Sequence, residues 1–176
     1  MHTYLQTFDR AVAVQVAKLP GWLLPLMTIV SFLGLPAVIV SASLLIMAVS
    51  YRQEYKNVSA AFGLAIVALG GNGVLKMLFR RVRPETMYVE SMAIKSYSFP
   101  SGHSFGSMVF YGLIAYLCYQ RLEGPANIII PIILSLLILV IGLSRVSLGA
   151  HFPSDVLAGW VLGGVALALI IRVCKL

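Results

Sequence analysis

The sequence predicts an all-α integral membrane protein, a helical bundle of about five to six transmembrane helices with an interfacial amphipathic helix at the N-terminus. The 176-residue chain is 60% hydrophobic and only 11% charged, and its mean hydropathy is +0.94. Apolar stretches of membrane-span length also alternate with short polar turns. A water-soluble domain of this composition would lack the polar residues needed to cover its surface.

The first element is an amphipathic helix predicted over residues 4–18. Its apolar residues recur at spacings of three and four: Leu5, Phe8, Val12, Val16 and Leu19. Gln6, Asp9 and Arg10 fall outside that stripe, which is typical of a helix lying at the interface. The alternative is a loosely ordered tail. Because this segment lacks the basic start and the cleavage site of a signal peptide, we expect the chain to be inserted by its own spans.

Apolar spans make up most of the remaining chain. The stretch 22–50 carries no charge, but Gly34 and Pro36 interrupt it. We therefore expect a short apolar helix before the break and a complete span over about 35–51. Further spans are predicted over 58–79, 102–120, 128–144 and 156–173.

Glycines in two of these spans predict close helix packing. Gly159 and Gly163 form a small-xxx-small pair in the last span. In the 58–79 span, four glycines are expected to let neighbouring helices approach: Gly63, Gly70, Gly71 and Gly73.

Alternation of the spans across the membrane groups the polar loops. The segments 76–84, 100–103 and 145–151 fall at one face, and the turns 51–57 and 121–127 fall at the other, together with the C-terminus. Three segments far apart in sequence can therefore meet. No internal repeat or second domain is visible, so one bundle is expected.

Nearly every charged or titratable residue without a structural explanation lies in three short motif segments. These are KMLFRRVRP over 76–84, PSGH over 100–103 and SRVSLGAHFPSD over 144–155. Lys76, Arg83 and Arg145 bring three cations to one place, where leaving them unpaired would be costly. A phosphate would pair with them, since Arg offers a planar fork and Lys a point charge. Taken alone, Lys76 reads as an anchor at a helix end.

The dipeptide Ser101-Gly102 stands at a predicted helix start. Its backbone N–H groups, the Ser101 hydroxyl and the helix dipole can hold an anion, and Gly102 lets the backbone come close. An ordinary N-cap is the structural alternative.

Two histidines complete the pattern. Asp155 lies four residues after His151, where its carboxylate can fix the imidazole tautomer and leave the other nitrogen free as a nucleophile. Asp155 could instead serve only as an anion at the helix start. His103 faces the same place and could protonate a leaving oxygen, or be a structural histidine.

In order, the segments read K-x6-R-P, P-S-G-H and S-R-x5-H-x3-D, which resembles the signature of the type 2 phosphatidic acid phosphatase superfamily. That family includes lipid-phosphate phosphatases, glucose-6-phosphatase and soluble vanadium haloperoxidases. The resemblance covers about 55–175. It implies a single membrane-embedded phosphatase domain over 1–176, with the interfacial helix over 1–20 and the catalytic core over 55–175.

The resemblance also implies roles for the motif residues. His151 attacks phosphorus to form a phosphohistidine, Asp155 orients it, and His103 protonates the leaving group. Five residues hold the phosphoryl oxygens: Lys76, Arg83, Ser101, Gly102 and Arg145. No cofactor and no metal are implied.

A site at the interface predicts a membrane lipid phosphate as the substrate, with the bilayer as the surrounding partner and no nucleic acid. Undecaprenyl pyrophosphate is preferred over phosphatidylglycerol phosphate, with phosphatidate and lipid A phosphate as further candidates. The loop around Met87 and Tyr88 could contact the head group or belong to an aromatic belt.

The resemblance implies a bacterial inner membrane with the site facing the periplasm or exterior. The positive-inside rule does not decide the orientation of the chain.

There are two alternative functions: one uses the same motif residues, and the other does not need them. A lipid phosphotransferase would pass the phosphate to an acceptor other than water. A non-enzymatic lipid-binding or transport protein would not need His151. A haloperoxidase is disfavoured because those members are soluble. Cys118 and Cys174 have no CxxC spacing and no neighbouring histidine, so packing roles are expected.

Overall fold

Helices make up most of the chain. The computed structural model describes residues 2–176, with side chains from residue 4 onward. Eight helices occur in this part: α1 (His2–Val16), α2 (Leu23–Leu33), α3 (Pro36–Arg52), α4 (Lys56–Phe79), α5 (Met87–Ser91), α6 (Gly102–Arg121), α7 (Ala126–Ser147) and α8 (Pro153–Cys174). Residues 2–176 contain no β-strand, which confirms the all-α class.

The helix ends follow from local chemistry. Pro36 and Pro153 stand at the first positions of α3 and α8, where the missing N–H of proline costs nothing. Arg80 adopts a left-handed conformation with φ of 48° and ends α4. The predicted break separates α2 from α3, and the two helices are bent by 41°.

The predicted spans all correspond to helices. Among the described residues, α4, α7 and α8 are long and apolar enough to cross a membrane, and α2 with α3 would add a fourth as one broken span. Helix α6 has 20 residues and buries Ser104 and Ser107. It packs against both α7 and α8. This polar side of α6 is therefore shielded by its neighbours.

The interior is built around α6. Phe105, Val109 and Leu113 of this helix are buried, and the Phe110 ring meets Phe62 of α4 edge-on at 5.9 Å. The outward faces stay apolar, as shown by exposed residues such as Leu45, Val67 and Val161. Such an outer surface suits contact with lipid chains.

The predicted glycine contact of α8 forms, and that of α4 forms only in part. A Cβ built on Gly159 would lie 2.8 Å from the Ser101 carbonyl oxygen, and one on Gly163 would lie 2.8 Å from that of Phe105. Helix α8 therefore approaches α6 through the small-xxx-small pair, as predicted. In α4 the expectation holds for Gly63, whose built Cβ would lie 3.5 Å from Sδ of Met47 on α3. It is wrong for Gly70, Gly71 and Gly73, since no atom lies within 4 Å of a Cβ built on any of them. Their side of α4 does not meet another helix closely.

Helix α1 forms as predicted and packs against α7 and α8. Leu5 and Phe8 remain exposed, whereas Asp9 is buried with 4% of its surface exposed. The assignment of Asp9 to the polar side is therefore wrong. Asp9 shares the inward side of the helix with Val12 and Val16, since all three are spaced by three or four residues.

Candidate active site

One cavity of about 780 Å³ gathers residues from all three motif segments. Its motif residues are Lys76, Arg83, Gly102, His103, Arg145 and His151. The rest of its wall comes mainly from apolar residues of α2 and of the loop before α6, including Ile29, Phe32, Leu33, Met92 and Ile94. The predicted meeting of the three segments at one face is confirmed. At the opposite end, Tyr55 and Arg121 of the two other turns also meet, with the guanidinium 5.4 Å from the ring centroid.

His151 lies between a cation and an acid, with 3% of its surface exposed. Its Nε2 is 3.1 Å from Nη1 of Arg83, which can only donate a hydrogen bond. In the neutral ring Nε2 must therefore carry the lone pair, and Nδ1 must carry the proton. This tautomer presents Nε2 as the nucleophilic nitrogen on the cavity side.

Ser98 connects the other side of the ring to Asp155. The Ser98 hydroxyl lies 3.2 Å from His151 Nδ1 and donates a short hydrogen bond to Oδ2 of Asp155. The direct distance from Nδ1 to Oδ2 is 3.5 Å, which is long for a hydrogen bond. The hydroxyl therefore accepts a hydrogen bond from Nδ1–H and connects the ring to the carboxylate.

Asp155 is placed for both of the roles considered for it. Its Oδ2 accepts the backbone N–H of Phe152 at 3.0 Å and so caps the start of α8. Its Oδ1 accepts a hydrogen bond from Arg81 at 2.6 Å. The carboxylate has no exposed surface and lies behind His151 instead of lining the cavity.

Burial controls the charge of His151. It lowers the pKa of His151 to about 4; the nearby Asp155 carboxylate, on the Nδ1 side of the ring, opposes this shift, and the charges of Arg83 and Lys76 add to it. The imidazole is therefore neutral at pH 7, as a nucleophile requires.

Backbone carbonyls hold two of the three predicted cations in place. Lys76 Nζ donates to the carbonyl of Tyr97 at 2.8 Å, and Arg83 donates to those of Ser96 and Ala150 at 2.7 Å each. Burial, and next the charge of Arg145, lower the pKa of Arg83 to about 10, so its guanidinium stays charged at neutral pH.

Arg145 reaches the cavity from the end of α7. Its Nη1 donates to the hydroxyl of Ser31 on α2 and lies 3.5 Å from the hydroxyl of Tyr88. The guanidinium carbon is 5.6 Å from the Tyr88 ring centroid. Its Nε is buried without a hydrogen-bond partner among the described residues. Such a donor suits an anion in the cavity.

His103 lies at the start of α6, against the break between α2 and α3. A Cβ built on Gly34 would lie 2.6 Å from Cγ2 of Ile141 and 3.1 Å from the His103 ring, so only glycine leaves room there. His103 Nε2 is buried without a partner within residues 4–176. The neighbouring Gly102 lines the cavity, and a Cβ on it would point towards Asn72 and Lys76.

Ser101 is placed differently from the other predicted anion ligands. Its side chain is fully buried and its hydroxyl accepts from the Ser104 hydroxyl at 3.1 Å at the start of α6. Its backbone N–H donates to the carbonyl of Asp155 at 3.0 Å. Ser101 does not line the cavity, so here the structure supports the capping alternative.

Sequence reasoning missed four polar residues that support the site: Asp9, Ser31, Arg81 and Ser98. Two signals were available. Asp9 keeps the spacing of the inward residues of α1, and Arg81 is a surplus cation inside the first motif segment. No local pattern distinguishes Ser31 or Ser98 from other serines. Within the described residues, no three His, Cys, Asp or Glu side chains group in a way that could hold a metal ion.

Comparison with known proteins agrees with the motifs and the fold. Residues 56–175 match the family model described as PAP2 superfamily. The chain is 32% identical over 170 residues to phosphatidylglycerophosphatase B of Bacillus subtilis, covering 90% of this chain and 79% of the relative. It is 41% identical over 66 residues to the putative undecaprenyl-diphosphatase YbjG of Escherichia coli, covering 38% of this chain and 29% of that relative.

Two solved structures share the architecture. A crystal structure of a transmembrane PAP2-type phosphatidylglycerolphosphate phosphatase from Bacillus subtilis superposes with a TM-score of 0.84 at 27% identity, covering 98% of this chain and 87% of the other. The crystal structure of Aquifex aeolicus LpxE shares the fold alone, with a TM-score of 0.67 at 20% identity over 92% and 93% of the two chains. This chain belongs to the PAP2 superfamily and is one of its membrane phosphatases.

Proposed function

We propose that the protein hydrolyses a phosphate or pyrophosphate on a membrane lipid through a phosphohistidine on His151, without a metal. The carrying observation is the position of His151. Its lone-pair nitrogen faces the cavity. The same cavity contains Lys76, Arg83 and Arg145, and the rest of its wall is mainly apolar.

The first chemical step transfers the phosphoryl group to the enzyme. His151 Nε2 attacks phosphorus, a P–N bond forms and the P–O bond to the leaving group breaks. His103, when protonated, gives its proton to the leaving oxygen. Lys76, Arg83, Arg145 and the N-terminus of α6 at Gly102 stabilise the negative charge on the transferred group.

The second step returns the enzyme to its starting state. His103, now neutral, takes a proton from water, the water oxygen attacks phosphorus and the P–N bond breaks. Inorganic phosphate leaves, and His151 is neutral again. Ser98 and Asp155 hold the ring in one tautomer throughout, because Nδ1 stays protonated in both steps.

The shape of the cavity supports a lipid substrate. Ile29 and Phe32 of α2 line it, and both are more than half exposed on the outer surface of the bundle. A phosphate whose tail remains among lipid chains can reach the cations along this wall, whereas a sugar phosphate would leave the wall uncovered.

The substrate order changes from the one that the sequence suggested. The relative named for phosphatidylglycerophosphatase aligns with 90% of this chain, but the relative named for undecaprenyl-diphosphatase aligns with 38%. We therefore place phosphatidylglycerol phosphate first and undecaprenyl pyrophosphate second, with phosphatidate and lipid A phosphate behind them.

Phosphate release from these four lipids tests the proposal. The purified protein is assayed in detergent with EDTA present, beside His151→Ala and His103→Ala. We expect release in EDTA, a loss of roughly 10³-fold or more in kcat for His151→Ala, and ³²P-labelled protein that loses its label in acid. Release that needs added metal, or that survives in His151→Ala, contradicts the mechanism. Labelled lipid product in place of free phosphate indicates a phosphotransferase.

We also propose that the site faces the periplasm or cell exterior. Val82 is 74% exposed in the loop beside the site, and Gln53 is exposed in a turn at the opposite end. A membrane-impermeant maleimide applied to intact cells should label Val82→Cys and not Gln53→Cys, in a background with Cys118 and Cys174 replaced by serine. The reverse pattern would place the site in the cytoplasm.

A further inference from the structure

Helix α1 carries one buried carboxylate. Asp9 is 4% exposed, although its neighbours Phe8 and Arg10 are exposed. A buried carboxylate is costly unless charged or hydrogen-bonding partners surround it. Asp9 therefore occupies a specific polar position in the bundle.

Asp9 contacts the first turn of α8. Asp9 Oδ1 accepts the backbone N–H of Ser154 at 2.8 Å, and Oδ2 accepts the Ser154 hydroxyl at 2.8 Å. Ser154 immediately precedes Asp155. The carboxylate of α1 thus holds the same helical turn that presents Asp155 to His151.

Arg81 completes a second connection between the two carboxylates. Its Nη2 donates to Asp9 Oδ2 at 2.7 Å, while its Nη1 donates to Asp155 Oδ1 at 2.6 Å and to the Ser154 hydroxyl at 2.7 Å. The guanidinium also lies 4.2 Å from the ring centroid of Phe152. The two ends of one planar group are therefore fixed by different carboxylates.

We propose that Asp9 and Arg81 are positioning residues for the phosphatase reaction. Arg81 fixes Oδ1 of Asp155, so that Oδ2 and the Ser98 hydroxyl stay aligned with Nδ1 of His151. Asp9 fixes Arg81 and the turn at Ser154. This inference rests on the proposed function, because it acts through the nucleophile.

The expected effect is on turnover and not on substrate binding. Neither Asp9 nor Arg81 lines the cavity. Without Asp9, Arg81 loses the partner of one nitrogen and the carboxylate of Asp155 can shift. A displacement of about 1 Å at a reacting group can cost on the order of 10²-fold in rate.

The test compares Asp9→Asn, Asp9→Glu and Arg81→Lys in the full-length protein, assayed on phosphatidylglycerol phosphate in mixed micelles. Asp9→Asn should lower kcat about tenfold and leave KM within about twofold. Asp9→Glu should restore part of kcat because it restores the charge. Arg10→Gln, next to Asp9 on the exposed side of α1, is the matched control and should retain full kcat.

A double-mutant cycle separates positioning from general stability. If Asp9 acts through Arg81, Asp9→Asn should add little to the loss caused by Arg81→Lys. Unchanged kcat in Asp9→Asn, or losses that multiply, overturns the inference. The inference is also overturned if the loss of kcat disappears once the rate is divided by the fraction of protein that is folded. If Asp9→Asn does not fold, Arg81→Lys replaces it in the test, and full kcat in Arg81→Lys overturns the inference.

The outcome for His151→Ala keeps the two proposals apart. Activity that survives in His151→Ala refutes the proposed function whatever Asp9 does. An inactive His151→Ala beside a fully active Asp9→Asn refutes only the positioning role.

Discussion

His151 has different surroundings at its two ring nitrogens. A guanidinium nitrogen of Arg83 lies at Nε2, while the Ser98 hydroxyl lies at Nδ1 with Asp155 behind it. The donor on one side and the acceptor on the other select a single tautomer. A neutral ring with a directed lone pair is what nucleophilic attack needs, so orientation and protonation state have the same structural cause.

The lowered pKa of His151 predicts how the ring titrates. In ¹⁵N-histidine spectra of the detergent-solubilised protein, its signals should stay those of a neutral ring protonated at Nδ1 down to about pH 5, because the pKa lies near 4. Arg83→Gln should raise this pKa, since a nearby cation disfavours the imidazolium. Titration near the ordinary value of about 6.5 would contradict the burial argument.

The same shift has a consequence for stability. The unfolded chain binds this proton at a pKa of about 6.5, well above the folded value, so the unfolded state binds more protons between the two. His151 therefore contributes stability that is present above pH 6.5 and is lost as the pH falls towards about 4. His151→Gln should show a weaker fall of the thermal unfolding temperature across this range than the native protein.

Ser98 should matter for turnover although it does not line the cavity. Ser98→Ala removes the hydroxyl between His151 and Asp155, a loss of about 1–1.5 kcal/mol that corresponds to roughly tenfold in kcat. KM for the lipid should stay within about twofold. Ser107→Ala is the control, because Ser107 is also buried but donates only within α6. Equal effects of the two variants on kcat would mean that the Ser98 effect is one of packing.

At the scale of the helices, the contact between α6 and α8 sets the position of the site. The glycine pair of α8 lies against the first turns of α6, and Ser101 N–H donates to the carbonyl of Asp155. Residues of the second and third motif segments are therefore held by backbone contacts and not by side chains alone.

Gly159→Ala tests this contact. The new methyl would lie 2.8 Å from the Ser101 carbonyl oxygen, so α8 must move. We expect a loss of about 1–3 kcal/mol in stability, seen as a lower thermal unfolding temperature, together with lower kcat. Gly164→Ala on the same helix meets nothing within 4 Å and should leave both unchanged. Similar unfolding temperatures for the two variants would count against close packing.

The sequence alone was sufficient for the long helices and for the six motif residues that line the cavity, because both follow from apolar length and from the alternation of spans across a membrane. It did not predict the short helix α5 or the α2 residues of the cavity wall. It could not show that Gly70, Gly71 and Gly73 meet no neighbour, since facing partners depend on how helices are rotated. Asp9 was misassigned for a related reason. Whether a charged residue beside an apolar stripe turns inward depends on Arg81, which lies 72 residues away.

At the scale of the whole molecule, the apolar wall beside the cations should recognise the lipid tail. Ile29→Trp would crowd this wall, and kcat/KM for phosphatidylglycerol phosphate should fall about tenfold while a soluble short-chain phosphate is affected little. Val161→Trp is the matched control, because both positions are 67% exposed and Val161 lies outside the cavity. Equal losses for the long and short substrates would argue against a tail-binding wall.

The exposed wall formed by Ile29 and Phe32 also determines how a substrate finds the site. A lipid that enters between outward-facing helices arrives by diffusion in two dimensions, and the relevant concentration is its mole fraction in the surface. Adding inert detergent at constant total substrate should therefore slow the enzyme by surface dilution. In a cell, turnover would follow the composition of the surrounding leaflet and not the volume of the compartment beside it.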